Sequence, residues 1–391
     1  MKLFSFCAVL MIQLCIIPLY AQEKVPFDLA ASQTMKRIYQ FFGNSENQLL
    51  LEKYPFDENF KADYLNNSEQ AAQQKKYAYL WPFSGSFSAV NALMELPKQK
   101  KEYQKILDKK VLIGLHVYRD EKRLPIGYAS YLNTAAASDR FYDDNIWLGI
   151  DFTDSYLYTK KDVYLTKAKE IWTFVKSGED SLLGGGIYWC EQKKESKNTC
   201  SNAPASVFAL KLFEATKDSV YFLEGKRLYH WTKEKLEDPT DGLYWDNMGL
   251  NRHVDKAKYS YNSGQMLQAA ALLYRLTKEN QYLIDAQKLA EACYSYFFQD
   301  FSGPEFKLLK NSNLWFHAVM MRGFISLFEQ DQNPKYITVF AKNLHYAWQN
   351  MRDEKGLFYA DWTLKNRKEK KDLLDQCAFV EMYARLAKLN Y

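Results

Sequence analysis

Arg140-Phe141-Tyr142-Asp143-Asp144-Asn145-Ile146-Trp147-Leu148 sets two adjacent acids among aromatics, just ahead of an apolar helical pattern. Asp-Asp suits the first turn of a helix, where the macrodipole favours negative charge, better than a helix interior. Taken alone, the pair reads first as a helix start, with Asp143 as an N-cap accepting backbone N–H bonds. The same two carboxyls are also candidates for acid/base and nucleophilic work. The choice depends on what the rest of the chain builds around them.

The chain repeats this stretch. Polar clusters that start a helix stand at Asp143, Asn202, Asn262, Asn313 and Asp375, spaced by 59, 60, 51 and 62 residues. Second helices follow, carrying Tyr103, Tyr164, Tyr221, Tyr282 and Tyr336 near their starts as expected packing residues. Gly186-Ile187-Tyr188-Trp189, Gly242-Leu243-Tyr244-Trp245 and Gly356-Leu357-Phe358-Tyr359 each read as a glycine stop followed by a short extended segment. A period of this size is that of a helical-hairpin repeat.

Upstream, Phe27 to Phe42 is helical in pattern, and Asn66 to Lys76 reads as loop or cap. The Pro, Gly and Ser residues of Trp81-Pro82-Phe83-Ser84-Gly85-Ser86 predict a break, with a helix restarting at Phe87. A last helix over 371–389 can close against the first. First helices such as Ala203 to Leu212 are nearly all apolar or small, as buried helices are; second helices such as Lys160 to Lys176 carry many charges. The expectation is an all-α fold, a single (α/α)6 barrel: a toroid with first helices inside and second helices outside.

Met1 to Ala21 reads as a secretory signal, leaving a mature domain over 22–391. No later apolar run is long enough to span a membrane. An exported protein, periplasmic or extracellular and monomeric, is expected. With 52 basic and 47 acidic residues the charge is nearly balanced. No basic stripe points to nucleic acid, and Lys365 to Lys371 reads as a solvated loop. Cys190 and Cys200 flank a polar stretch and, after export, either close a small disulfide loop or remain thiols. Cys293 and Cys377 read as buried thiols. The histidines are scattered and the cysteine spacing is not that of a zinc site, so neither metal nor cofactor is indicated.

In a toroid the polar clusters converge on one mouth, together with Trp81, Trp147, Trp189, Trp245, Trp315 and Trp362. Amides and carboxylates bind hydroxyls and indoles stack on pyranose faces, so the ring reads as sugar-binding chemistry. Candidate substrate contacts are Trp81, Asn145, Trp189, Asn202, Trp245, Tyr261 and Asn262, although each polar residue also reads singly as a helix cap. Neighbouring Cα atoms lie about 3.8 Å apart. Adjacent acids therefore reach the roughly 5–5.5 Å of a retaining glycosidase more readily than the wider gap of an inverting one. Two acids that close push each other's pKa apart, one staying charged while the other keeps its proton.

Phe141 to Leu148, Gly184-Gly185-Gly186-Ile187-Tyr188-Trp189, Lys197-Asn198-Thr199-Cys200-Ser201-Asn202-Ala203-Pro204, Tyr259-Ser260-Tyr261-Asn262-Ser263-Gly264 and Leu272 to Thr277 together resemble glycoside hydrolase family 76, the endo-α-1,6-mannanases. The resemblance covers about 78 to 385. It implies an (α/α)6 barrel and a retaining mechanism on α-1,6-linked mannan. It also implies Asp143 as nucleophile and Asp144 as acid/base. Ser263 departs from the family pattern, which leads to Gln between Asn262 and Gly264. Alternatives are a mannosyl transglycosylase on the same scaffold and a non-catalytic secreted glycan-binding protein. A sugar epimerase would need cavity histidines, and only His317 is placed for that.

Overall fold

The computed structural model describes residues 25–391 except 63–64, 66–75 and 304. The expected signal Met1 to Ala21, and 66–75 of the expected loop, lie outside the described residues. Among the described residues no helix is long and apolar enough to cross a membrane.

Six helices form an inner ring: α2 (Leu80–Met94), α4 (Tyr142–Thr159), α6 (Thr199–Thr216), α8 (Ser260–Thr277), α10 (Leu314–Asp331) and α12 (Leu373–Lys388). Each packs on the next, and α12 returns to α2. The outer layer is α3 (Lys100–Ile106, continuing through a π-helical turn to Leu112–His116), α5 (Asp162–Lys176), α7 (Ser219–Leu236), α9 (Asn280–Phe297), α11 (Lys335–Asn350) and α1 (Phe27–Phe41). The fold is an (α/α)6 barrel.

Burial follows the two sequence patterns. In α6 every residue from Thr199 to Leu210 is buried, as an inner helix needs. In α5 only one face is, through Tyr164, Ala168, Ile171, Trp172, Phe174 and Val175. Tyr164 and Tyr336 bury their rings and donate their hydroxyls to Asp108 and Glu291 of the preceding outer helix. The turn between helices is reused. Lys160, Lys217, Lys278 and Gln332 adopt φ of 60°, 62°, 60° and 56°, and each N–H bonds back to a carbonyl four residues earlier. Thr159, Thr216 and Thr277, each closing its inner helix, accept the N–H two residues on.

The N-terminal end differs from expectation. The helix restarts at Leu80, not Phe87. Pro82 is its third residue, where the first-turn N–H has no intrahelical acceptor to lose. Gly85 is no breaker but a crossing point: a Cβ there would stand 2.7 Å from Leu374 Cδ1 and 3.3 Å from Cys377 Cβ of α12. Thus α2 and α3 form the first hairpin, and α1 pairs with α12 to close the ring. The closure is sealed by β1 (Lys53–Tyr54) pairing antiparallel with β9 (Lys371–Asp372). Lys371 is therefore buried rather than solvated, its ammonium donating to the carbonyls of Lys368 and Glu369.

Short strands populate one end of the barrel. Two-residue pairs β2 (Arg119–Asp120) with β3 (Gly127–Tyr128) and β7 (Phe298–Gln299) with β8 (Leu308–Leu309) lead into α4 and α10. The largest sheet is β4 (Ser196–Asn198), β5 (Trp245–Gly249) and β6 (Val254–Lys258), in that order and antiparallel. Cys190, Cys200, Cys293 and Cys377 are all buried, and Cys190 and Cys200 are not bridged to one another.

Candidate active site

The inner helices all start at the stranded end, and position within their first turn decides what each side chain does. The second residues are Trp81, Asp143, Cys200, Tyr261, Trp315 and Leu374. The first five line one cavity of about 590 Å³. Fourth residues do something else. Asn145 accepts the Tyr128 N–H at 2.7 Å and donates to the carbonyls of Tyr128 and Phe141. Asn202 does the same with Ile187 and Asn198, and Gln376 brackets Phe358. Ser263 accepts the Tyr244 N–H at 3.1 Å, and His317 bonds the Lys310 carbonyl at 2.8 Å. These side chains clamp the incoming extended segment to the helix start and satisfy its backbone.

The acid pair lies in the first turn of α4, whose N-cap is Phe141 rather than Asp143. Its approach is rigid. Arg140 is 1% exposed, grips Glu191 in a fork at 2.6 and 2.5 Å, and donates to the carbonyls of Arg123 and Pro125. Tyr142 N–H bonds the Trp189 carbonyl at 2.9 Å. Asp143 Oδ1 accepts the Asp144 backbone N–H at 3.0 Å, and Oδ2 accepts the Trp189 indole N–H at 3.0 Å. Cys200 lines the same cavity.

Burial pushes the Asp143 pKa up to about 6, against the pull of these donors. Asp144 is raised well above the usual carboxylate range, first by burial and then by the charge of Asp143. Near neutral pH the pair therefore carries one proton, resting on Asp144, with the helix dipole and two N–H donors holding the anion on Asp143. Such a pair can offer a nucleophilic anion and a proton to the same bond. A third acid, Asp246, borders the cavity. Burial raises its pKa, and it accepts from Asn247 at 2.9 Å and Asn262 at 3.3 Å.

The remaining wall is aromatic. Phe316 stacks on Tyr261 with centroids 4.0 Å apart at 15°, and on Trp81 at 6.0 Å and 22°. Trp315 meets Trp147 edge-on at 4.9 Å. Indole and phenol faces beside carboxyls and amides suit a ring with one apolar face and several hydroxyls.

Of the residues expected around the site, Asp143, Asp144, Trp81, Trp189 and Tyr261 share this cavity. Asn145, Asn202, Asn262 and Trp245 are not among its lining residues. Asn145 and Asn202 are clamps. Asn262 is buried and supports Asp246. Trp245 donates to Asp238 at 3.0 Å, beside the ammonium of Lys256. His317 is likewise a clamp, buried between Lys310 and Ser260, and burial pushes its pKa down to about 4. Trp362 is buried against Phe379. Cys200, Asp246, Asn247, Asn198 and Phe316 join the lining without having been singled out as contacts. The second-residue register marks Cys200. Asp246 and Asn247 sit on β5, where no repeat signals them.

Comparison with known proteins matches residues 36–390 to the model of glycosyl hydrolase family 76. The match starts well before residue 78, because α1 belongs to the barrel. The chain is similar to a family 76 mannosidase of Bacteroides thetaiotaomicron, at 32% identity over 93% of this chain and 98% of that one, with a TM-score of 0.84. A family 76 α-mannanase of the same organism is 26% identical over 94% and 97%, with a TM-score of 0.81. A mannan endo-1,6-α-mannosidase of Candida albicans is 27% identical over 181 residues, 41% of this chain and 39% of that protein. The matched stretch thus spans less than half the length of that curated relative.

Proposed function

The chain belongs to glycosyl hydrolase family 76, and we propose that within it the protein is an exported, retaining endo-glycosidase that cleaves α-1,6-mannosidic bonds in mannan backbones. The observation that carries this reading is the pair of adjacent carboxyls, Asp143 and Asp144, lining one cavity walled by aromatic rings. Similarity to a family 76 mannosidase, an α-mannanase and a mannan endo-1,6-α-mannosidase supports the substrate class.

In this mechanism Asp143 attacks the anomeric carbon while Asp144 gives its proton to the departing glycosidic oxygen. The mannosyl-enzyme forms and the aglycone leaves. Asp144, now charged, takes a proton from water, which attacks the same carbon and frees Asp143. Trp189 and the Asp144 backbone N–H keep Asp143 charged and aimed. The stacked Tyr261, Phe316 and Trp81 rings support the pyranose faces of the chain.

The test is incubation with unbranched and branched α-1,6-mannan, sizing products over time and recording the anomeric form of the first product. Early large fragments with α configuration are expected, and Asp143→Asn abolishes them without unfolding the protein. A β first product, or full activity in Asp143→Asn, sinks the reading.

A further inference from the structure

Lys197 lies on β4 between Ser196 and Asn198, both of which line the catalytic cavity. Side chains alternate along a strand, and that of Lys197 is turned the other way, fully buried. Its ammonium has three protons and meets three oxygens: Asp180 Oδ1 at 2.7 Å, the Leu182 carbonyl at 2.8 Å and the Gly185 carbonyl at 2.7 Å. The centroid of the Tyr188 ring lies 4.7 Å from it, and the Tyr188 hydroxyl donates to the other Asp180 oxygen at 2.7 Å. Lysine is almost never fully buried without such pairing.

What the ammonium holds is the loop over 180–186. Three glycines in a row, Gly184 to Gly186, leave the second half of this loop without side chains to anchor it. Its fixed points are carbonyls, two on Lys197 and a third, that of Leu183, on the Trp231 indole N–H at 3.1 Å. The loop runs directly into Ile187-Tyr188-Trp189. Tyr188 bridges Lys197 across an antiparallel pair, and the Trp189 N–H reaches the Ser196 carbonyl at 3.3 Å. Trp189 in turn takes the Tyr142 N–H on its carbonyl at 2.9 Å and holds Asp143 Oδ2 with its indole N–H at 3.0 Å.

We propose that Lys197 is a positioning residue for the reaction: by fixing the glycine loop from behind, its ammonium aims the Trp189 indole at Asp143. The inference rests on Asp143 being the nucleophile. Lys197 is not among the residues lining the cavity, so it acts on the carboxylate through Trp189. Without the ammonium, two carbonyls and a carboxylate oxygen lose a donor, and an unsatisfied buried acceptor is costly enough to move a glycine loop.

The test is a double-mutant cycle of Lys197→Met, which keeps the stem and removes the ammonium, with Trp189→Phe, which removes the indole donor. The readouts are kcat and KM on α-1,6-mannan for native protein, both single variants and the double variant, with a melting curve for each. Small displacements set up far from the chemistry can cost about 100-fold, so Lys197→Met is expected to lower kcat by about 10- to 100-fold. KM is expected to stay within about threefold of native, as for an interaction made in the transition state. In the Trp189→Phe background, where no N–H is left to aim, the same substitution is expected to cost less than about threefold. A role in stability alone lowers the melting temperature and leaves kcat unchanged below the melt, or lowers kcat by one factor in both backgrounds. Either result overturns the proposal, as does native kcat in Trp189→Phe. Should Lys197→Met fail to fold, Asp180→Asn loosens the same cradle from its exposed side and is expected to show the same dependence on Trp189. All these outcomes concern the aim of a donor and leave Asp143 as nucleophile intact; activity in Asp143→Asn removes that premise separately.

Discussion

The indole N–H of Trp189 donates to Asp143 Oδ2 at 3.0 Å, tying residues 46 apart in sequence. Phe141, just before the acid pair, packs on the same indole at 4.9 Å. Trp189→Phe keeps that packing and removes the donor. A hydrogen bond to a charged acceptor is worth about 1.5–3 kcal/mol, so kcat/KM is expected to fall roughly 10- to 100-fold with little change in melting temperature. Kinetics on α-1,6-mannan check this. Native kcat/KM in Trp189→Phe removes the indole from any role in charging Asp143.

The pair also sets a pH profile. With Asp143 raised to about 6, kcat/KM should climb as pH rises through about 6, while Asp144 keeps its proton to higher pH. Stability moves the opposite way. A carboxyl raised on folding binds more protons folded than unfolded, so its contribution is full below the unfolded value near 3.8 and is lost as pH rises through the folded one. For Asp143 that loss is on the order of 3 kcal/mol by neutral pH. Asp143→Asn should therefore melt higher than native protein at pH 7, and the gap should close toward pH 4. Calorimetry at the two pH values decides it; a gap that widens on acidification contradicts the assignment.

Asn202 separates a clamp from a sugar contact. It makes three hydrogen bonds, at 2.7, 2.9 and 2.9 Å, to the backbone of Ile187 and Asn198. Asn202→Ala strands buried backbone groups, at about 1–3 kcal/mol for each one left unsatisfied. The expected outcome is a melting temperature lower by several degrees, with KM for mannan within about twofold of native well below the melt. A large rise in KM in stable protein would restore Asn202 to the substrate.

The barrel was legible because its unit recurs: a polar helix start, an apolar first helix, a tyrosine in the second, a glycine before the return. Gly186, Gly242 and Gly356 do adopt φ of 83°, 75° and 78°, in the left-handed region that favours glycine. The placement of the acid pair in the first turn of an inner helix, beside a cavity, was legible for the same reason. The polar clusters were misread where composition stood in for direction. Residues two apart on a helix point about 200° apart, so Asp143 and Cys200 face the cavity while Asn145 and Asn202 turn back to the strand. Ser263 shows it best. It sits in a polar cluster, yet it holds Tyr244 from the clamp position and is not among the lining residues of the cavity. Pro82 and Gly85 misled in another way, since a breaker in mid-helix is a neutral residue in a first turn and an asset at a crossing.

That crossing logic is sharpest between α8 and α10. A Cβ on Gly264 would lie 2.3 Å from Met320 Cα, and one on Gly323 would lie 2.4 Å from the Gly264 carbonyl oxygen. Both obstacles are backbone, so no rotamer change relieves them. Overpacking a core costs typically about 1–3 kcal/mol, and more where neighbours cannot shift. Gly264→Ala must spread the two helices, whose second residues are Tyr261 and Trp315. Stability and kcat/KM are therefore expected to fall together. Gly242→Ala is the control: its φ of 75° costs the variant about 1–2 kcal/mol, but nothing lies within 4 Å of the added carbon. It should melt slightly lower with native kinetics. Equal melting temperatures and equal kcat/KM for the two variants would mean the ring does not depend on that contact to hold its cavity in shape.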